Sequence, residues 1–210
     1  IFTDVAQAAG VRLWRSGFAG TSEARITDLK LSGEGSRFVA HVAGTAVPVE
    51  IRSPGEHLAR NALSALAVAA ALHGSGPELS RAAVALADFT PGTGRGAASP
   101  ILGGEALLLD ESYNASVLSI RAALGVLALL PARRRIAVLG DIRELGDFAR
   151  EEHLSLEPAV SAAADLVFCC GPHMKDLFDA LPSSRRGSWE ETSTALAPLV
   201  RATLQSGDAV

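Results

Sequence analysis

The spacing of apolar positions changes along the 210-residue chain. In RITDLKLSG (25–33) apolar and polar residues alternate, and RFVAHVAGTAVPVEIR (37–52) reads as two such runs joined by a glycine-containing turn. A period of two sends successive side chains to opposite faces of a strand, so residues 1–53 are expected to be β-rich. The next stretch, SPGEHLARNALSALAVAAALHGSG (53–76), is dominated by Ala and Leu and closes on Gly74 and Gly76, which predicts a helix. GPELSRAAVALADF predicts a second, with Pro77 near its start. TPGTGRGAASP (90–100) is loop by composition and a domain junction.

Beyond the junction, short runs rich in Leu, Val and Ile alternate with segments of helical spacing. EALLLD, RRIAVLG and DLVFCCG read as strands. VLSIRAALGVLALL, GDFAREEHLSLEPAVSAAA (broken at Pro158), PHMKDLFDAL and GSWEETSTALAPLVRATLQSG read as helices, and Asp208-Ala209-Val210 starts another strand. This alternation predicts an α/β fold with a mostly parallel sheet covered on both faces. The expected domains are 1–92 and 93–210.

Composition narrows the function classes. With 48% hydrophobic and 20% charged residues the chain is globular. A net charge of −4 gives no footprint for nucleic acid. No apolar run reaches the roughly 18 residues a membrane span needs, and IFTDVAQAAG lacks the basic start and apolar stretch of a signal peptide. The only cysteines, Cys169 and Cys170, are neighbours that cap a strand; a reducing, cytoplasmic setting is expected.

Ligands of open parallel sheets bind beyond the carboxyl ends of the strands. Three predicted strands end in distinctive groups: Asp110-Glu111-Ser112-Tyr113-Asn114, then Gly140-Asp141 with Glu144 and Gly146, then Cys169-Cys170-Gly171. The carboxylates, amide and hydroxyls suit ribose hydroxyls, an amine or a hydrated metal. The same residue types also serve as caps and turns. Arg95, on the junction loop, has the fork geometry that clamps phosphate or stays solvated. His57 and Asn61, four apart, share one helix face, and an amide there can read an adenine edge. No Walker loop occurs, and none of the five histidines has metal-ligand spacing to another His or Cys.

Taken in order, these stretches resemble the Mur ligases of peptidoglycan synthesis. GEHLARNALSALAVAAAL is similar to the family's HN-x-x-N-A-L-A-A helix, and PGTGRG to its P-x-GR junction. LLLDESYNASVLSIRAAL is similar to D-[DE]-S-Y-N-A-N-P-x-S-M-x-A-A-L, and RRIAVLGDIRELGDFAREEH to R-x-I-A-V-L-G-D-M-x-E-L-G followed by His. The two long stretches point to the branch that joins D-Ala-D-Ala to UDP-N-acetylmuramoyl-tripeptide; a folate-adding relative, or a non-catalytic nucleotide-binding module, is the alternative. The resemblance implies the C-terminal part of an ATP-binding central domain, then a Rossmann-like C-terminal domain. It implies ATP and Mg2+, with metal ligands and acyl-phosphate machinery outside these residues, so that the chain does not turn over alone and no catalytic residue is assigned. A monomer is expected.

By matching positions, His57 and Asn61 would face adenine, Arg95 the nucleotide or its phosphates, and Glu111 the ribose hydroxyls. Tyr113 and Asn114 would line the same cleft, and Ser112, Asn114, Asp141 and Glu144 would serve the peptide substrate. The sequence departs from the family pattern at Leu58 (Asn), Glu111 (Asp in many members), Ser116-Val117 (Asn-Pro) and Ile142 (Met).

Overall fold

Alternation is realised as a meander. The structure, a computed structural model, describes residues 2–74 and 76–210. The chain divides after Thr90 into two units, each with its own core.

The first unit opens with a short helix, α1 (Phe2–Ala8), and a two-residue strand, β1 (Ser16–Gly17). Strands β2 (Ala24–Ser32), β3 (Gly35–Val42) and β4 (Thr45–Ile51) follow as antiparallel neighbours, with β1 parallel to β2 at the edge. Phe38, Ala40 and Val42 of β3 point inward with Val47, Val49 and Ile51 of β4. They meet Leu63 and Leu66 of α2 (Glu56–His73) and Leu79 of α3 (Pro77–Ala85). The expectation of strands from residue 1 onward is corrected at α1. FTDVAQA has no period-two alternation and carries an acid in its first turn, which suits a helix N-terminus.

The second unit is a six-stranded sheet in the order β5-β6-β10-β7-β8-β9. Its elements are β5 (Ala97–Ile101), β6 (Ala106–Asp110), α4 (Val117–Leu129), β7 (Arg134–Gly140), α5 (Ala149–Leu154), α6 (Glu157–Ala163), β8 (Leu166–Cys170), α7 (Met174–Ala180), β9 (Arg186–Glu190), α8 (Ser193–Thr203) and β10 (Asp208–Ala209). All neighbours are parallel except β5 and β6. The crossovers through α4, α5–α6 and α7 step one way along the sheet and share one face, around Leu127, Leu156, Val160 and Leu177. The connection through α8 steps back and covers the other, where Leu196 meets Ile136 and Phe168.

Two segments depart from the sequence expectation. Residues 97–100, expected as loop, belong to edge strand β5, where Pro100 is tolerated because an edge needs no donor on its free side. Residues 187–190, expected at the start of a mostly helical stretch, belong to edge strand β9. Gly187 lies flat on Phe168 there, and a Cβ on it would come within 2.7 Å of the ring. Pro158 falls at the start of α6, so the predicted break separates α5 from α6.

Polar contacts finish the helices. Ser116 and Ser119 form a reciprocal capping box on α4. Ser116→Ala should cost about 1 kcal/mol, read by urea unfolding; no change in midpoint would contradict the cap. At the opposite ends, arginines of β7 and β9, and Arg185 of the 3-10 turn before β9, donate to carbonyls at the helix ends. Arg135 donates to Leu127 and Leu130 at 3.2 and 3.0 Å, Arg134 to Thr203 at 2.9 Å, Arg186 to Leu181 at 2.8 Å and Arg185 to Ala164. Arg134 also grips buried Asp208 with two bonds, Nε to Oδ1 at 3.0 Å and Nη2 to Oδ2 at 2.7 Å. None of the described helices is long and apolar enough to cross a membrane.

Candidate functional site

The carboxyl ends of β6, β7 and β8 converge on an open cleft of about 1500 Å³ in the second unit. At the end of β6 the chain turns. Asp110 Oδ1 accepts the Ser112 hydroxyl at 2.6 Å and the Ser112 amide at 3.1 Å. These bonds hold the Asp110 carboxyl below the usual carboxylate range. Asn114 Oδ1 accepts the amide of Ala115 at 2.9 Å. Asp110, Ser112 and Asn114 therefore do what turn residues do.

Glu111 differs from these. It is half-buried, and among the described residues nothing hydrogen-bonds its carboxylate. Burial first, then the charge of Asp110, raises its pKa. Tyr113 is 67% exposed, and the Arg95 guanidinium stacks 3.9 Å from its ring centroid.

The junction glycines explain how Arg95 arrives there. Gly96 N–H donates to Asp110 O at 2.8 Å, and Tyr113 N–H to Gly94 O at 3.1 Å. Gly94 and Gly96 hold φ of +73° and +92°. A Cβ on Gly96 would sit 2.9 Å from Glu111 Oε1. GTGRG thus lets one backbone lie against the end of β6 with Arg95 over Tyr113.

At the end of β7, Asp141 turns its carboxylate to the start of α7, accepting the amides of Met174 at 2.8 Å and His173 at 3.3 Å. Glu144 is exposed at φ +66°. Cys169 and Cys170 are the last two residues of β8. Successive strand residues face opposite sides, so Cys169 packs among the α4–α7 helices and Cys170 towards α8. Burial, then the charges of Cys170 and Asp141, push the Cys169 thiol up to about 12.

Glu111, Ser112, Tyr113, Asn114, Asp141 and Glu144 line this one cleft, with Arg95 stacked on Tyr113. His57 and Asn61 belong to α2 of the first unit. Asn61 is exposed; His57 is half-buried, burial lowers its pKa, and its Nδ1 is buried without a partner among the described residues. Sequence reasoning missed Arg143, His173, Thr192 and Ser193 on the cleft wall. Reading 187–207 as one helix hid the turn at 191–193; its signal was Thr192, which caps α8 through Ala195 N–H at 3.3 Å. Among the described residues no cluster of three or more His, Cys, Asp or Glu is arranged to hold a metal ion.

Residues 102–210 match the family model described as "Mur ligase, glutamate ligase domain". The chain is 35% identical over 163 residues to the UDP-N-acetylmuramoyl-tripeptide–D-alanyl-D-alanine ligase of Escherichia coli (strain K12), a match covering 76% of this chain and 35% of the relative. It is 34% identical over 110 residues to the ligase of that name from Synechocystis sp., covering 50% of this chain and 24% of the relative. The chain thus spans about a third, or less, of the length of these curated relatives. A crystal structure of MurF from Acinetobacter baumannii superposes with a TM-score of 0.81 at 22% identity, over 98% of this chain and 44% of that one. MurF from Thermotoga maritima in complex with ADP gives 0.74 at 18% identity, over 92% and 43%. At such identities the likeness establishes the fold.

Proposed function

The chain belongs to the Mur ligase family, and from that premise we propose that it forms part of an ATP-dependent ligase joining D-Ala-D-Ala to UDP-N-acetylmuramoyl-tripeptide. The names of the curated relatives support the substrates, and the ADP complex of a structural neighbour supports the nucleotide. The observation that carries the reading is Glu111. A half-buried carboxylate with free acceptor capacity at a strand end suits the paired hydroxyls of a ribose. Taken by itself, the first unit offers the buried Nδ1 of His57, without a partner among the described residues, as a polar atom that a ligand contact would satisfy, with Asn61 one helical turn along.

In this reading the nucleotide activates a carboxylate as an acyl phosphate, because a carboxylate resists attack by an amine. This chain's residues orient the partners. Glu111 fixes the sugar, and Arg95, held over Tyr113, offsets phosphate charge. Asn114, Ser112, Asp141 and Glu144 bound the side where the dipeptide amine would enter. Holding amine and acyl group together lowers the entropic barrier to amide formation. Mg2+, when bound with the nucleotide, would offset phosphate charge; among the described residues no cluster of His, Cys, Asp or Glu is arranged to hold it.

The test is calorimetric titration with a non-hydrolysable ATP analogue. Glu111→Ala should weaken binding about 10- to 100-fold, the loss of one or two charge-assisted hydrogen bonds. Affinity should also fall on acidification, because the raised pKa of Glu111 surrenders its charge sooner than an exposed glutamate does. Unchanged affinity in a folded Glu111→Ala variant would refute the ribose assignment.

A further inference from the structure

His153 is fully buried beneath the β7 side of the cleft, and none of the roles above uses it. Its Nδ1 lies 2.5 Å from the carbonyl oxygen of Ala149, within α5. A carbonyl only accepts, so Nδ1 carries the proton. Its Nε2 lies 3.0 Å from the backbone N of Ile142 and accepts that N–H. Both ring nitrogens are thus committed, and the ring is neutral with one tautomer set by its partners. The His173 ring lies 5.5 Å away, tilted by 32°.

The segment anchored in this way is the turn from Gly140 to Gly146. Between Gly140, the last residue of β7, and the 3-10 turn that opens at Gly146, residues 141–145 have no regular secondary structure to hold them, Ile142 is buried, and Glu144 occupies the left-handed region that a glutamate seldom adopts. Without the imidazole, the Ile142 N–H would lose its partner inside the protein.

We propose that His153 is a positioning residue for the cleft: its imidazole, as an Nε2 acceptor, fixes the turn that presents Asp141, Arg143 and Glu144. The functional part of this inference rests on the reading of the cleft as the dipeptide side of a ligase site. The geometric part stands on the two hydrogen bonds alone.

The experiment uses the 210-residue chain labelled with 15N. Long-range proton–nitrogen spectra should show Nε2 as the unprotonated ring nitrogen at neutral pH. A ring protonated at Nε2, or at both nitrogens, would overturn the proposal whatever the variants do. His153→Phe fills the space without an acceptor, whereas His153→Gln returns one. Exchange of the Ile142 amide should quicken about 10- to 100-fold in His153→Phe and recover most of that loss in His153→Gln. Equal exchange in wild type and His153→Phe would also overturn it.

Titration with D-Ala-D-Ala, with the ATP analogue present, reads the functional part. Shifts at residues 141–144 that weaken in His153→Phe and return in His153→Gln support it. If the wild-type chain shows no such shifts while Ile142 behaves as expected, the ligand reading fails and the anchoring stands.

Discussion

Replacing Asp208 by alanine should destabilise the second unit by about 3 kcal/mol. The residue is 3% exposed, and its side chain takes both bonds of the Arg134 fork and accepts the Gln205 amide at 2.8 Å. Removing it leaves a partly buried guanidinium facing an apolar gap. The loss should fall at the low end of the range for broken buried pairs, because the Arg134 side chain keeps 28% of its surface and can find water.

Burial alone pushes the Asp208 carboxyl up, but hydrogen bonds from Arg134 and Gln205, with the arginine's charge, overcome it and hold the pKa down. The sign follows. The group titrates lower folded than unfolded, so its contribution is complete above the unfolded carboxylate range of about 4 and drains away as pH falls through and below it. Urea unfolding of wild type and Asp208→Ala at neutral and acid pH reads both effects. A neutral-pH loss under about 1 kcal/mol, or a gap between the two proteins that widens on acidification, would contradict this account.

Gly171→Ala is the second large effect, expected to cost about 3–5 kcal/mol. Gly171 has φ +102°, where an L-residue is strained. Its new Cβ would sit 2.4 Å from Asp141 Cγ and 2.5 and 2.6 Å from the carboxylate oxygens. Asp141 must move, and the amides of Met174 and His173 then lose their acceptor. Trp189 reports on the site, because its Nε1 donates to Gly171 O at 2.9 Å. Its fluorescence, followed in a Trp14→Phe background during urea unfolding, should show the lowered midpoint. A shift worth less than 1 kcal/mol would mean that the carboxylate yields easily.

How much of this was legible in the sequence depends on which signal each element carried. The strands of the meander announce themselves because one face is buried and the other more open, so Phe38, Ala40 and Val42 alternate with the less buried Arg37, Val39 and His41. The α/β alternation of the second unit was equally plain. Strand β9 was not: RGSWE has no apolar run, and Gly187 is there to fit Phe168, a partner about twenty residues earlier. Strand β5 hid inside a Gly- and Pro-rich stretch, since an edge strand tolerates residues that an inner one excludes.

At the site, position was legible and division of labour was not. The strand-end rule pointed to residues 110–114, yet only geometry separates Glu111, whose acceptors stay free, from Asp110, whose bonds build the turn. His153 closed a family-like stretch in the sequence, but nothing in that stretch told its role. A histidine on a helix becomes an anchor only once folding brings a backbone amide eleven residues earlier against its ring.

Strand β10 has a kinetic consequence. Ala209 pairs with Leu107 on one side and Arg135 on the other, so the β5–β6 hairpin joins the rest of the sheet through a partner about a hundred residues away. No local turn can template that seam, and its loop-closure entropy must be met before the contact returns anything. The β7–β8–β9 portion, with short crossovers, is able to assemble early, while the hairpin waits with an unzipped flank. During synthesis that flank is the place where a chaperone or a stray β-edge finds its opening.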